Sequence, residues 1–272
     1  MRTLVAIPVL NEARYVEGVL ARVLEQCPNV LVIDDGSTDA TPALITRFPV
    51  EIIRHSKNRG YGKSLKDAMR YSIAEGYDWL ITMDCDEQHE PAAIPHFLER
   101  ARAGHADIIS GSRYLLPPLD GTIPPPERRA INATITAELN DGLFRHTGTR
   151  LTDAFCGFKA HRVDSLRKLR PTVSGYAFPM QFWVQAVAAR LRIEELPVRL
   201  IYNDLTRTFG GQLDDATLRL THYRHILHRE MARRASCLPL GLREAKDPAV
   251  TICQPCILPP CQQAGSTEQC WA

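Results

Sequence analysis

Between Met83 and Pro91 the sequence MDCDEQHEP sets four acidic side chains and a histidine within nine positions, directly after the apolar run WLIT. Asp84 and Asp86 repel each other unless water screens them or a cation lies between them. The divalent ions Mg2+ and Mn2+ favour oxygen ligands. One or two carboxylates commonly hold them, with phosphate oxygens and water completing the shell. Gln88 adds a neutral oxygen close by, and Cys85 separates the two aspartates. A second acidic cluster, DDGSTD from Asp34 to Asp39, follows the apolar run VLVI. Such spacings also occur in exposed turns, so the strand end that carries each cluster decides between the two readings.

The first half of the chain alternates short apolar runs with helix-period segments. TLVAIPV, VLVIDD, VEIIRH, WLITMD and ADIISGSR read as strands. Between them, NEARYVEGVLARVLEQ places Val16, Val19, Leu20, Val23 and Leu24 on one helical face. STDATPALITRF, GKSLKDAMRYSIAEG and EPAAIPHFLERARAG also read as helices, two of them closing at Gly76 and Gly104. This order predicts an α/β fold with a mainly parallel, Rossmann-like sheet and helices on both faces. Ligands in such sheets bind beyond the carboxyl ends of the strands. Both acidic clusters fall there, on one rim.

The segment 114–127, with LLPPLDGTIPPPE, is too rich in proline for a strand or helix interior and reads as a mobile loop over the site. Beyond it, RRAINATITAELNDGLF and FPMQFWVQAVAARL read as helices, with LTDAFCGFKAHR between them as a loop or short strand. HRVDSLRKLR reads as a solvated helix face, RIEELPVRLIY as a strand, NDLTRTFGGQ as a loop and LDDATLRLTHYRHILHREMARR as a long final helix. Phe182 and Trp183, at helical spacing, read as core. Residues 235–272 lose all periodicity and read as an unstructured, cysteine-rich tail. Its C-x2-C-x4-C-x8-C spacing lacks the second close pair of a zinc ribbon.

With 272 residues, 44% of them hydrophobic, the chain can bury a substantial core. A formal net charge of +2 gives no global argument for nucleic acid. No apolar run is long enough to span a bilayer, and the start reads as a first strand, not a signal peptide. The expected compartment is the cytoplasm. The eight cysteines do not form a disulfide framework across the body.

In order, IPVLNEARY, VLVIDDGSTDAT, RHSKNRGYGKSLKDAM, MDCDEQHEP and SGSRY resemble the nucleotide-sugar-binding half of family 2 glycosyltransferases of the GT-A fold. TDAFCGFKAHR, ELPVRLIY and RTFGG narrow the likeness to the polyprenyl-phosphate sugar transferases, the dolichyl-phosphate mannose synthase type. The resemblance covers residues 3 to 212 and is strongest through Arg113. It implies one GT-A domain over 1–234, divided into a nucleotide-sugar half (1–113), the loop 114–127 and an acceptor half (128–234).

The same resemblance supplies roles. Pro8 and Glu12 border the nucleotide, Asp35 contacts the base, and Gly36 lets the loop turn. Lys63 and the glycines around it face the diphosphate. Asp84, Asp86 and Gln88 hold Mg2+ or Mn2+, with Cys85 and Asp86 also against the donor. Arg207 stands near the diphosphate, although the Ser-Lys that usually follows the glycine is replaced by Gly211-Gln212. Arg128 or Arg129, with Lys159 where the family usually has Arg, corresponds to the cations for an acceptor phosphate.

The expected reaction is metal-dependent, inverting transfer from a GDP-mannose or UDP-glucose type donor, with polyprenyl phosphate as acceptor and peripheral contact at the inner membrane face. A hydroxyl acceptor would need Asp153 as base; a phosphate acceptor needs none. A nucleotidyltransferase is a second reading, but IPVLNEARY lacks the Gly-rich loop with Arg and Lys that class places after its first strand. A binding module without turnover is a third.

Overall fold

The computed structural model describes residues 1–117, 122–145, 147–202 and 208–238. Seven strands form one sheet: β1 (Thr3–Val9), β2 (Val30–Asp34), β3 (Glu51–Arg54), β4 (Trp79–Thr82), β5 (Ile108–Ser112), β6 (Lys159–Arg162) and β7 (Ile193–Pro197). Their spatial order is β3-β2-β1-β4-β6-β5-β7. All neighbours run parallel except β6, which is antiparallel to both β4 and β5.

Period-two alternation in the central strands feeds two cores. Leu4 and Ala6 of β1, with Leu31 and Ile33 of β2, face one side. They meet α3 (Tyr61–Ala74), α5 (Pro126–Leu139), α7 (Phe178–Ala188) and α8 (Ala216–Arg234). Val5 and Ile7, with Val32 of β2, face the other side, against α1 (Val16–Gln26), α2 (Thr41–Ile45) and α4 (Ile94–Ala103). A strand buried on both faces must be apolar at nearly every position, which is why TLVAIPV and VLVI contain no exposed polar alternation. The four described buried residues of the α1 stripe, Val16, Val19, Leu20 and Val23, carry that helix onto the sheet.

LTDAFCGFKAHR, a loop or short strand in the sequence reading, supplies the short strand β6, antiparallel to its neighbours, so its preceding residues pass over the carboxyl ends of β4 and β5. Two segments differ from the sequence reading. The run HRVDSLRKLR is not a solvated helix face: His161 is a buried β6 residue, and only Val163–Leu166 (α6) is helical, with Val163 and Leu166 in the core. STDATPALITRF yields only the short α2. Phe182 and Trp183 are core residues, as their spacing implies. Among the described residues no helix is long and apolar enough to cross a membrane. Cys253, Cys256, Cys261 and Cys270 lie outside the described residues.

Candidate active site

A cleft of about 560 Å³ opens over the carboxyl ends of the parallel strands. Pro8 and Glu12 after β1, Asp35 after β2, and Asp84, Cys85, Asp86 and Gln88 after β4 all line it. Both acidic clusters thus share one rim, as strand order requires.

The acidic pair sits on a built support. The Tyr61 hydroxyl donates to Asp84 Oδ1 at 2.9 Å, and the Asp84 N–H donates to His89 Nδ1 at 2.9 Å. His89 is buried, which pushes its pKa down to about 4, against the opposing pull of Asp86. The ring is therefore neutral and accepts at Nδ1. Burial, then Asp84, raises the Tyr61 phenol. The Gln88 N–H donates to Asp86 Oδ1 at 3.1 Å, closing a tight turn that keeps this carboxylate at the cleft. Gly157, two residues before β6, leaves the room that Asp84 occupies. A Cβ there would lie 2.7 Å from Asp84 Oδ2 and 2.7 Å from the Tyr61 hydroxyl.

Two half-buried carboxylates, a neutral amide and an open cleft suit a hard divalent cation. Among the described residues no group of three or more His, Cys, Asp or Glu side chains surrounds one point. Two carboxylates are nonetheless a sufficient protein share where diphosphate oxygens and water complete the shell.

Asp35 is held from three sides. Its Oδ1 accepts from His55 Nδ1 at 2.5 Å and from the Arg59 N–H at 2.9 Å, and its Oδ2 accepts from the Gly60 N–H at 2.8 Å. The adjacent Asp34 does not line the cleft; its Oδ1 accepts from the Ser37 N–H at 2.8 Å and braces the turn. Gly36 is required where it stands: its φ is +81°, and a Cβ would come within 2.4 Å of the Lys57 backbone.

The other half of the molecule contributes cations. Arg113, just past β5, lines the cleft and donates through Nε to Asp153 Oδ2 at 2.7 Å and through Nη2 to Asp153 Oδ1 at 3.0 Å. Asp153 is fully buried and also accepts from Asn132 Nδ2 at 2.7 Å and from the backbone N–H groups of Phe155 and Cys156. Burial alone would raise its pKa; Arg113, then Asn132 and the Phe155 N–H, overcome that and hold the carboxyl well below the usual range. Glu195 of β7 secures the same turn through the N–H groups of Thr152 and Asp153. Arg128 of α5 and the buried Arg219 of α8 also line the cleft, both over the Phe209 ring.

Some expected site residues stand elsewhere. Lys63 does not line the cleft; its ammonium is bound to Asp67 one turn along α3. Lys159 is buried in β6, its ammonium donating to the Cys156 carbonyl and lying 5.3 Å from the centre of the Trp183 ring. It too is absent from the cleft wall, and burial lowers its pKa. Lys159 opens β6 opposite Thr82 and Ser110, and its side chain packs on the face that carries Trp183. Of the two arginines opening α5, Arg128 faces the cleft and Arg129 is exposed, stacked 4.0 Å from the centre of the Tyr114 ring. Arg207 lies outside the described residues.

Sequence reasoning assigned no role to Arg113, Tyr61 or Arg219. Arg113 had a signal, since it ends the SGSR run at a strand's carboxyl end. Tyr61 and Arg219 had none, because their partners lie 23 and 92 positions away along the chain.

The chain matches the family model described as Glycosyl transferase family 2 over residues 4–170. It is 29% identical to an undecaprenyl-phosphate mannosyltransferase of Micrococcus luteus, over 82% of this chain and 94% of that protein. It is 28% identical to a polyprenol monophosphomannose synthase of Mycolicibacterium smegmatis, over 82% and 86% respectively. Its structure superposes on glucosyl-3-phosphoglycerate synthase from Mycobacterium tuberculosis in complex with Mn2+, UDP and glucosyl-3-phosphoglycerate. The TM-score is 0.64 at 16% identity, covering 88% of this chain and 81% of the other. A complex of the same synthase with Mg2+ and UDP gives a TM-score of 0.61 at 16% identity, covering 88% and 80%. At such identities the likeness shows the fold, which is GT-A.

Proposed function

The chain belongs to glycosyl transferase family 2, and from that premise we propose that this glycosyltransferase moves a hexose, mannose in the first instance, from a nucleoside diphosphate sugar to a polyprenyl phosphate. The observation that carries this reading is the condition of Asp153. A hydroxyl acceptor needs a base with useful proton affinity. Asp153 has both oxygens engaged and a depressed pKa, and Arg113 and Arg128 line the cleft beside it. A lipid phosphate brings its own anionic oxygen and is bound by arginines. The names of the two mannosyltransferase relatives agree with that acceptor.

Asp35 accepts an N–H of the donor base, while Pro8 and Glu12 border the nucleoside. Asp84 and Asp86, with the Gln88 amide oxygen, would hold Mg2+ or Mn2+, whose positive charge stabilises a departing diphosphate. Arg113, fixed by two bonds to Asp153, keeps the N–H groups of Nη1 for the acceptor phosphate, with Arg128 beside it. One phosphate oxygen attacks the anomeric carbon from the face opposite the diphosphate. The bond from that carbon to the diphosphate oxygen breaks, and the configuration inverts. Exposed Leu115, Leu116 and Ile123, on the segment of chain between the cleft-lining Tyr114 and Arg128, suit peripheral contact with the membrane that carries the lipid.

The test uses the full chain with Mn2+, GDP-mannose or UDP-glucose, and vesicles containing either a polyprenyl phosphate or the free polyprenol. Transfer is expected to the phosphate alone; equal transfer to the alcohol would restore Asp153 as a base and overturn the acceptor assignment. Asp84→Ala is expected to lower turnover by about a hundredfold or more. Wild-type turnover in that variant would remove the acidic pair from the reaction.

A further inference from the structure

His55, one residue past β3, does not line the cleft and has no place in the reaction as drawn. It is nevertheless buried between two carboxylates. Its Nδ1 lies 2.5 Å from Asp35 Oδ1 and its Nε2 lies 2.9 Å from Asp67 Oδ2. An ionised carboxylate only accepts hydrogen bonds, so a ring nitrogen that bonds to one does so through its N–H. Asp67 is itself anchored on α3 by Lys63. The His55 N–H donates to the Asp34 carbonyl at 2.9 Å, which fixes the ring's backbone to the end of β2. The ring is therefore pinned at its backbone and its far edge, and its near edge grips Asp35.

We propose that His55 is the positioning residue for the donor-binding carboxylate Asp35. The inference rests on the reading that Asp35 meets the nucleotide base. A carboxylate has about four acceptor positions. Within the chain, His55 and the Arg59 N–H take two on Oδ1, and the Gly60 N–H takes one on Oδ2. One position on Oδ2 remains for a ligand, and it points usefully only while the carboxylate plane is fixed. The two backbone donors come from consecutive residues of one loop, and His55 adds a donor from just past the end of β3.

The contact can be divided by substitution, because an Asn amide nitrogen falls near the place of Nδ1 and a Gln amide nitrogen near that of Nε2. His55→Asn keeps the bond to Asp35 and gives up Asp67. His55→Gln does the reverse. Affinities for GDP and UDP, each with Mn2+, would be measured by calorimetry on the full chain, alongside thermal unfolding and steady-state kinetics in the donor. His55→Gln is expected to weaken nucleotide binding and raise donor KM about tenfold, the scale of one lost bond to a charged group, with kcat unchanged. His55→Asn is expected to bind within about threefold of the unchanged protein, although both variants lose similar thermal stability.

If the two variants weaken binding equally, or if His55→Gln binds as tightly as the unchanged protein, the positioning role is overturned. Asp35→Ala separates the two levels of the argument. Should it leave nucleotide affinity unchanged, the base-contact reading falls and takes this inference with it. Should it weaken affinity while His55→Gln does not, only the inference about His55 falls.

Discussion

Asp35 and Asp153 are both aspartates buried beside the same cleft, and the fold uses them in opposite ways. Asp35 is anchored by His55 and two backbone N–H groups, lines the cleft and retains an acceptor position. Asp153 is sealed from solvent, with a guanidinium across both oxygens, and it is Arg113 that reaches the cleft. At the end of β2 the anion is presented. On the other side an anion is hidden so that a cation can be presented. Sequence context is similar in the two places, DDGS and LTDAF, and each aspartate precedes a turn. What differs is the partner that each meets from a distant part of the chain.

The largest expected effect tests this contrast by deletion. Asp153→Ala leaves the Arg113 charge buried without its partner, which costs about 3–5 kcal/mol of stability. Asp35→Ala loses hydrogen bonds at the rim and costs about 1–3 kcal/mol, with its main effect on nucleotide affinity. Urea unfolding and nucleotide calorimetry on both variants measure the two quantities. Equal ratios of stability loss to affinity loss would erase the distinction.

A smaller effect sharpens the acidic side. Gly157→Ala places a methyl group against Asp84 and Tyr61, and overpacking of this kind costs about 1–3 kcal/mol. Here the strain falls on a carboxylate that would hold the cation. Mn2+-dependent nucleotide binding is expected to drop about tenfold, the equivalent of about 1.4 kcal/mol. Metal-free nucleotide binding should change little. A drop of the same size without Mn2+ would show that Gly157 shapes the whole cleft and not the acidic pair.

A further expected effect concerns pH. His161 of β6 is buried, and burial, then the nearby Lys159, pushes its pKa down to about 3. The folded state therefore favours the neutral ring. Its contribution to stability is complete above the ordinary histidine value near 6.5 and is lost as pH falls from there towards 3. His161→Phe keeps a ring against Phe182, removes the titration, and should flatten the decline of the melting temperature between about pH 6 and pH 4. An unchanged slope would assign the acid sensitivity to other groups. Asp153 acts at lower pH. Its pKa is depressed, so its contribution is complete above the ordinary carboxyl range and fades only as acid protonates it.

Much of the fold was legible because β1, β2, β4 and β5 are buried on both faces and read as continuous apolar runs. The rim could be located from strand order alone, which puts Asp35, Asp84 and Asp86 together. The failures share one cause. Lys63 and Lys159 carry the charge expected of phosphate cations, but charge does not reveal which partner a side chain finds. Lys63 meets Asp67, and Lys159 meets the Cys156 carbonyl and the Trp183 ring. Periodicity gives the faces of a short strand without the partners that pack on them.

The sequence by itself determined the element order, the glycine needed at position 36 and the strand ends that carry the acids, because these depend on backbone sterics and near-neighbour burial. Only the tertiary structure decided that Gly157 makes room for Asp84, that Arg113 is braced by Asp153, and that His55 joins Asp35 to α3. Those contacts join residues 12 to 73 positions apart, brought together when the strands pair and the helices cover them. A local pattern cannot encode a partner whose distance is set by the packing of the whole sheet.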